Sequence, residues 1–274
     1  ADGGEVHAYL VGNWPPPFGI AFALDRLSAL MVALVALLGA ASLAHAAVHW
    51  EGRGAHFHAL FQFQLAGLNG AFLTADLFNL FVFFEVLLIA SYGLLLHAPH
   101  ARRTRAAFHY VAVNLAGSAL FLIAVGALYG VAGTLSLADL AVRIAQLPEG
   151  ESQIARAAGG MLLAVFLLKA AALPLAFWLP GTYGAAVAPV AALFAIMTKV
   201  GIYATVRVFA TAFGPHAGGA ALVAEPWALP LGLVTLAAGA MGALAARDLA
   251  AMAAWLVIAS AGTLLAAFGL GGAE

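Results

Sequence analysis

The chain has 274 residues, of which 65% are hydrophobic and only 8% are charged. A soluble domain carries about 25% charged residues, so this composition excludes a water-soluble protein and makes the lipid bilayer the main solvent. The formal net charge of −1 provides no field that would attract nucleic acid, and the absence of cysteine excludes disulfides, thiolate zinc sites and cysteine-held iron–sulfur clusters.

Eight segments along the chain are long and apolar enough to be predicted as membrane spans. A helix needs about 20 mainly apolar residues to cross roughly 30 Å of hydrocarbon. Only Ala75 and Asp76 separate the second segment from the third, which predicts a tight helical hairpin. We therefore predict an all-α polytopic membrane bundle that forms a single transmembrane domain over residues 1–274. The predicted spans are 24–48, 57–74, 77–96, 108–131, 155–180, 187–210, 227–245 and 249–270.

The arginines in the connections predict how the bundle is oriented. They fall mainly in alternate connections, after the first, third and seventh spans, at Arg53, Arg102, Arg103, Arg105 and Arg247. Connections rich in Arg and Lys face the cytoplasm, so we expect residues 1 and 274 to lie on the opposite side. We also expect the chain to be an internal piece of a longer polypeptide.

The connection between the fourth and fifth spans predicts a short amphipathic helix at the membrane surface. Over residues 136–147, Leu137, Leu140 and Ile144 fall on one helical face, whereas Asp139 lies elsewhere. Such a pattern is typical of an interfacial connector.

Two prolines, Pro174 and Pro180, predict a break in the fifth span, within LLKAAALPLAFWLP. Proline removes a backbone hydrogen bond and clashes with the preceding turn of a helix. Broken helices are tolerated at membrane depth where the freed groups face protein or water, and they often border transport sites. The same pattern also fits an ordinary proline kink, so the break near 169–180 does not by itself define a site.

Three ionisable side chains are predicted near the bilayer midplane. Glu85 lies near the centre of the third span, and the only two lysines, Lys169 and Lys199, lie near the centres of the fifth and sixth. A charge at the centre of a membrane helix costs roughly 2.5–3.5 kcal/mol on insertion scales. These residues must therefore be paired, hydrated or neutralised.

The choice of lysine at these two deep positions favours proton transfer. The cations at the span edges and in the connections are arginines, and arginine does not lose its proton at accessible pH. A buried lysine can do so, because desolvation favours the neutral amine. Glu85, Lys169 and Lys199 are therefore predicted to form a proton relay. The alternative is a static ion pair that fixes helix packing, although buried pairs are weak stabilisers.

Polar residues on two of the spans predict a hydrated path beside these groups. Tyr110, Asn114 and Ser118 share a face of the fourth span, and Tyr203 and Arg207 continue a stripe along the sixth. The same residue types also join membrane helices that transport nothing, so both interpretations stay open.

Long segments of the sequence resemble a known family. They are GLNGAFLTADLFNLFVFFEVLLIASYGLLLH, FHYVAVNLAGSALFLIAVGALYGVAGTLSLADLA, LLKAAALPLAFWLPGTYGAAVAPVAALFAIMTKVGIYATVRV and RDLAAMAAWLVIASAGTLLAAFGL. In these segments the chain resembles the D subunit of the Mrp/Pha-type monovalent cation/proton antiporters, which is related to the antiporter-like membrane subunits of respiratory complex I.

The resemblance implies a subunit of a hetero-oligomeric antiporter in the bacterial plasma membrane, with several further spans. Glu85 would be the acidic residue of the family, Lys169 the lysine on a broken helix, and Lys199 the linking lysine on the next span. The expected partners are the other subunits, the lipid bilayer, protons and a monovalent cation, Na+ or K+. No cofactor, metal or enzymatic activity is expected.

Two alternatives remain open. The chain could be a proton-pumping membrane-arm subunit of a complex I-like NADH–quinone oxidoreductase, which would contain quinone- and NADH-linked partner subunits. It could also be a scaffold subunit whose buried charges only specify assembly, in which case apolar residues at positions 85 and 169 would leave function intact.

Overall fold

A computed structural model describes residues 5–50, 56–97 and 101–271, with side chains in the last range from residue 103 onward. Within these ranges the architecture is a bundle of α-helices, seven of which are long and apolar enough to cross a membrane. The helices are α1 Arg26–His49, α2 Phe57–Leu73, α3 Leu77–Leu96, α4 Ala101–Ala132, α5 Leu137–Ala145, α6 Glu149–Lys169, α7 Leu179–Tyr183, α8 Ala188–Thr211, α9 Glu225–Leu244 and α10 Leu249–Gly271.

The predicted all-α polytopic class is confirmed, and a helix overlaps each of the eight predicted spans. The second helix, α2, has only 17 residues, fewer than the roughly 20 that a span needs, so its crossing of the bilayer stays a prediction. The short amphipathic helix is α5, which buries Leu137, Leu140 and Ile144. Arg53, one of the residues used to predict the orientation, lies outside the described residues.

A small β-hairpin near the start of the chain was not predicted. Strand β1, His7–Leu10, pairs antiparallel with strand β2, Ala21–Leu24. The Ala75 amide, in the turn between α2 and α3, donates to the Ala21 carbonyl over 2.9 Å, and the Ala75 carbonyl accepts from the Leu137 amide over 2.9 Å. The hairpin, the α2–α3 turn and α5 are therefore tied together at one end of the bundle.

The break in the predicted fifth span begins at Lys169 and not at a proline. The Ala171 amide donates to the Leu168 carbonyl and the Ala172 amide to the Leu167 carbonyl, while Ala171 has a φ of 54°. This is the hydrogen-bond pattern of a Schellman motif, which ends a helix through a residue in the left-handed conformation. Alanine occupies the position that usually belongs to glycine, at a modest cost in strain.

The two prolines have different places in this break. Pro174 lies in the non-helical segment before a short 3-10 helix, Leu175–Trp178. Pro180, by contrast, does not interrupt a helix, because it lies in the first turn of α7. A proline costs no hydrogen bond there, since the first amides of a helix have no partner within it. A single span was predicted over residues 155–180. The structure instead has α6, which begins earlier at Glu149, then the interruption and then α7.

Glycine allows α8 to pack directly against the interrupted end of α6. A Cβ atom on Gly201 would lie 2.6 Å from the Ala170 nitrogen and 2.7 Å from the Phe166 carbonyl oxygen. Backbone atoms cannot move aside as a flexible side chain can. Small residues permit this kind of close helix contact within membranes, so the residue at position 201 sets how closely α8 approaches the break.

We expect Gly201→Ala to destabilise the protein, because the added methyl group would overlap with backbone atoms of α6. The expected loss is about 1–3 kcal/mol. Gly160→Ala on α6 is the matched control, since a Cβ there meets nothing within 4 Å and alanine is favoured over glycine inside a helix by about 0.5–1 kcal/mol. Thermal unfolding of the purified protein in detergent measures both. Equal stabilities of the two variants would contradict the contact.

Candidate functional site

The structure brings Glu85 and Lys169 together but does not pair them directly. Glu85 lies on α3 and is partly exposed, whereas Lys169 is the last residue of α6 and is only 4% exposed. Among the described residues, no nitrogen–oxygen contact within 4.0 Å joins these two side chains. The predicted acid and amine are therefore close to each other, but another polar group lies between them.

The intermediate group is the hydroxyl of Ser118 on α4. It donates a short hydrogen bond to Glu85 Oε1 and accepts one from Lys169 Nζ over 3.1 Å. A serine hydroxyl has one proton to donate and lone pairs to accept with, so it can serve both neighbours at once. Three helices thus contribute one group each to a continuous carboxyl–hydroxyl–amine chain.

Several contacts of Lys169 stabilise its charged form against the cost of its burial, without a direct counter-ion. Lys169 Nζ donates a second hydrogen bond to the Asn114 carbonyl oxygen over 3.3 Å and lies 5.8 Å from the centre of the Phe84 ring, which places it within cation–π range. Lys169 is also in the last turn of α6, where the negative end of the helix dipole favours a cation. The break therefore has an electrostatic consequence as well as a steric one.

Tight packing of α4 on α6 makes these contacts possible. A Cβ atom on Gly117 would lie 2.7 Å from Leu168 Cδ2 and 3.7 Å from Lys169 Cε. A larger residue at 117 would have to displace the Leu168 side chain, which lies beside the lysine. Gly117 is therefore part of the geometry that puts the neighbouring Ser118 within hydrogen-bonding distance.

The two other predicted path residues on α4 make structural hydrogen bonds. The Asn114 side-chain amide donates to the Tyr110 carbonyl oxygen over 3.0 Å, and the Tyr110 hydroxyl shares a 2.9 Å hydrogen bond with Ser91 on α3. Tyr110 also stacks on Trp178, with ring centres 5.2 Å apart. Sequence reasoning missed Ser91, for which the only signal was a serine inside an apolar span.

Lys199 occupies a separate environment, held by α10. Its amine donates a short hydrogen bond to Ser260 Oγ and longer ones to Thr198 Oγ1, 3.3 Å, and the Val257 carbonyl oxygen, 3.4 Å. No hydrogen bond in the described part of the chain joins Lys199 to Lys169. Ser260 was not identified from the sequence, because a single serine in an apolar helix carries no directional signal.

Tyr203 belongs to a polar cluster at the end of the bundle where α1 begins, which we call the edge cluster: Asp25, Tyr203 and Arg207. The Tyr203 hydroxyl donates to the Phe72 carbonyl oxygen over 2.7 Å and accepts from Arg207 Nη2 over 2.7 Å. Arg207 Nη1 also contacts Asp25 Oδ2 at 2.5 Å. The edge cluster therefore links the start of α1 to α8 and to the end of α2.

Asp25 has two partners that keep it ionised. Burial by itself raises the pKa of the Asp25 carboxyl, but hydrogen bonds from Arg207 and from the Ser28 amide outweigh this effect and lower the pKa to about 2. Asp25 is also the N-cap of α1, where it forms a capping box with Ser28. A negative charge at a helix N-terminus is favourable, so one carboxylate both caps a helix and fixes α8.

Comparisons with known proteins give a consistent result. Residues 74–274 match the protein family described as NADH:quinone oxidoreductase/Mrp antiporter, TM. The chain is 51% identical over 263 residues to a probable K(+)/H(+) antiporter D subunit of Rhizobium meliloti, covering 96% of this chain and 49% of that protein. It is 39% identical to the Na(+)/H(+) antiporter D subunit of Bacillus subtilis, covering 95% of this chain and 52% of that protein.

Solved structures agree with these sequence relationships. A chain in the Mrp complex from Dietzia sp. DQ12-45-1b matches with a TM-score of 0.86 and 32% identity, covering 98% of this chain and 49% of that one. A chain of respiratory complex I from Thermus thermophilus matches with a TM-score of 0.73 and 28% identity, covering 93% of this chain and 53% of that one. The chain thus spans about half the length of the relatives it matches.

The edge cluster should contribute measurably to stability. We expect Asp25→Asn to lower the free energy of unfolding by about 1–2 kcal/mol at pH 7, between the values for a charged hydrogen bond and a surface ion pair. Because the pKa of Asp25 is lowered in the folded protein, its contribution is complete above the ordinary value of 3.8 and is lost as the pH falls towards 2. Unfolding measured from pH 7 down to about pH 2 tests both statements.

The ion pair between Asp139 and Arg143, one helical turn apart on α5, provides the control. Their side chains are more exposed than those of the edge cluster, so Asp139→Asn should cost less than about 0.5 kcal/mol. A cost at Asp25 no greater than that at Asp139 would show that the edge cluster does not stabilise the bundle.

Proposed function

This chain belongs to the NADH:quinone oxidoreductase/Mrp antiporter family of transmembrane proteins, and we propose that it is a proton-translocating subunit of a multisubunit monovalent cation/proton antiporter. Its relatives from Rhizobium meliloti and Bacillus subtilis are named as D subunits of K(+)/H(+) and Na(+)/H(+) antiporters. In this proposal the chain lies in the lipid bilayer of a bacterial plasma membrane, associates with other subunits of the complex and moves protons across the membrane. Protons pass along a relay of Glu85, Lys169 and Lys199.

The observation that carries the proposal is the hydrogen-bonded series Glu85–Ser118–Lys169. A proton can pass through it in a balanced step. The Lys169 ammonium gives a proton to the Ser118 oxygen while the Ser118 hydroxyl proton moves onto the Glu85 carboxylate. The result is a neutral amine, an intact hydroxyl and a neutral carboxylic acid.

Both protonation states of this series are physically accessible. The charged state is favoured by the attraction between carboxylate and ammonium, by the cation–π contact and by the end of α6. The neutral state is favoured because it removes two charges from a weakly polarisable interior. Opposing contributions of this kind permit a switch, since a modest change in nearby charge or hydration reverses the balance.

Lys199 is the next site of the proposed relay. It is reached through α8, which packs closely on the end of α6 at Gly201, although no direct hydrogen bond in the described chain links the two lysines. Ser260 and Thr198 solvate its amine. Tyr203 lies one helical turn further along α8 and borders the same cavity as Lys199.

Substitutions at Glu85 and Lys169 should separate a relay from a static ion pair. We expect Lys169→Ala, Lys169→Arg and Glu85→Gln to lower antiport at least tenfold, because arginine keeps the charge but cannot release the proton, and glutamine cannot accept one. Glu85→Asp should retain part of the activity. The assay is cation-driven proton movement in vesicles that contain the complete complex, tested with both Na+ and K+.

Glu149→Gln is the control for loss of a carboxylate, since Glu149 is exposed at the start of α6. Normal antiport by the Lys169→Ala or Glu85→Ala variant in an assembled complex would reject the relay and favour the scaffold alternative. Co-purification of quinone- and NADH-linked subunits would instead assign the chain to a complex I-like oxidoreductase.

Ser118 should also be required, because it links the two ionisable groups. We expect Ser118→Ala to lower the antiport rate about tenfold, which corresponds to the loss of about 1.4 kcal/mol from a hydrogen bond to a charged group. The matched control is Ser152→Ala, which removes a buried hydroxyl that bonds only the Glu149 carbonyl within the described chain. Equal rates for the two alanine variants, at equal expression, would rule out a bridging role for Ser118.

A further inference from the structure

Tyr183, the last residue of α7, carries a buried polar atom that the proposed relay does not use. Its side chain is only 4% exposed, and its hydroxyl has no hydrogen-bond partner within the described part of the chain. A buried hydroxyl left unpaired carries a substantial desolvation penalty. Native structures usually resolve such cases with an ordered water molecule.

The ring of Tyr183 is held in place by aromatic neighbours. Its centre lies 5.9 Å from that of Trp178 and 5.3 Å from that of Phe194. The Trp178 indole is fixed in turn by a 3.1 Å hydrogen bond from Nε1 to the Leu168 carbonyl oxygen, one residue before Lys169. The hydroxyl therefore cannot readily rotate away to find a partner elsewhere.

A small cavity borders both Tyr183 and Lys169. The volume open to the centre of a water molecule is about 10 Å³, close to the lower limit that one water requires. Asn114 and Tyr110 also border this cavity, and the remaining walls are aromatic and aliphatic. A space of this size and lining suits one water molecule and excludes larger ligands.

Lys169 has capacity for one further hydrogen bond. An ammonium has three N–H donors. In the described chain Lys169 donates hydrogen bonds to two acceptors, the Asn114 carbonyl oxygen and Ser118 Oγ. Lys169 and Tyr183 thus border one cavity, and the amine of one and the hydroxyl of the other have unfilled hydrogen-bonding capacity. A single water molecule would satisfy both groups.

We propose that the cavity bordered by Lys169, Tyr183, Asn114 and Tyr110 is a binding site for one ordered water molecule, which Tyr183 positions against the amine of Lys169. The water is the third hydrogen-bond partner of the ammonium, beside Asn114 and Ser118, and the fixed hydroxyl keeps it there. Tyr183 is accordingly a positioning residue that acts on Lys169 through the water. The effect on transport rests on the proposed relay, whereas the water site itself does not.

Tyr183→Phe is the test, because it keeps the ring and its packing and removes only the hydroxyl. We expect a density map of the assembled complex at about 2 Å resolution to show one water peak within hydrogen-bonding distance of Tyr183 Oη and Lys169 Nζ, and the variant to lack it. Without this water the ammonium is less well solvated. The alkaline limb of the pH–activity profile should therefore move to lower pH by about 0.5–1 unit.

Tyr129→Phe is the matched control, since Tyr129 lies on α4 with 54% exposure and away from the cavity; its profile should equal that of the wild type. An empty cavity in the wild-type map, or a Tyr183→Phe profile that coincides with the control, would overturn the inference. If Lys169→Ala keeps full antiport while the water peak is present in the wild type, the proposed function fails and the water site stands.

Discussion

The paired hydrogen bonds of Ser118, one to Glu85 and one from Lys169, are the interaction on which the proposed function depends. In a weakly polarisable interior, a direct contact between the opposite charges would stabilise the ion pair and keep the proton on the amine. Complete separation would leave each charge unpaired at a cost that the bundle would have to offset. A hydroxyl between them avoids both extremes, because it stabilises the two charges and also offers a route between them.

That arrangement requires α6 to end inside the bundle. The Schellman motif at Ala171 ends the helix through backbone hydrogen bonds that satisfy its last carbonyl oxygens, so that Lys169 is the last residue of the helix. The close approaches at Gly117 and Gly201 then bring α4 and α8 onto this helix end. The backbone break puts Lys169 at the end of a helix, and the small residues let the neighbouring helices pack against that end.

The polar groups of the bundle form two separate sets with different roles. Around Lys169, the contacts are few and leave hydrogen-bonding capacity unused, which suits groups that change protonation. In the edge cluster, Arg207 and Tyr203 are engaged by Asp25 and by the Phe72 carbonyl. An arginine that cannot lose its proton and a carboxylate with a low pKa suit a fixed structural link.

The sequence alone determined the class of protein and the approximate positions of its helices, and it predicted the depth of Glu85, Lys169 and Lys199. These follow from hydrophobic length and charge content, which are local properties of the chain. The sequence also placed Tyr110, Asn114 and Ser118 on one face, since helical periodicity fixes neighbours within a helix. Only the tertiary structure decided that Ser118 bridges two other helices, that Ser260 holds Lys199 and that Asp25 meets Arg207. Those contacts join residues between 33 and 182 positions apart, and their geometry follows from helix packing and from a backbone break that no periodic pattern encodes.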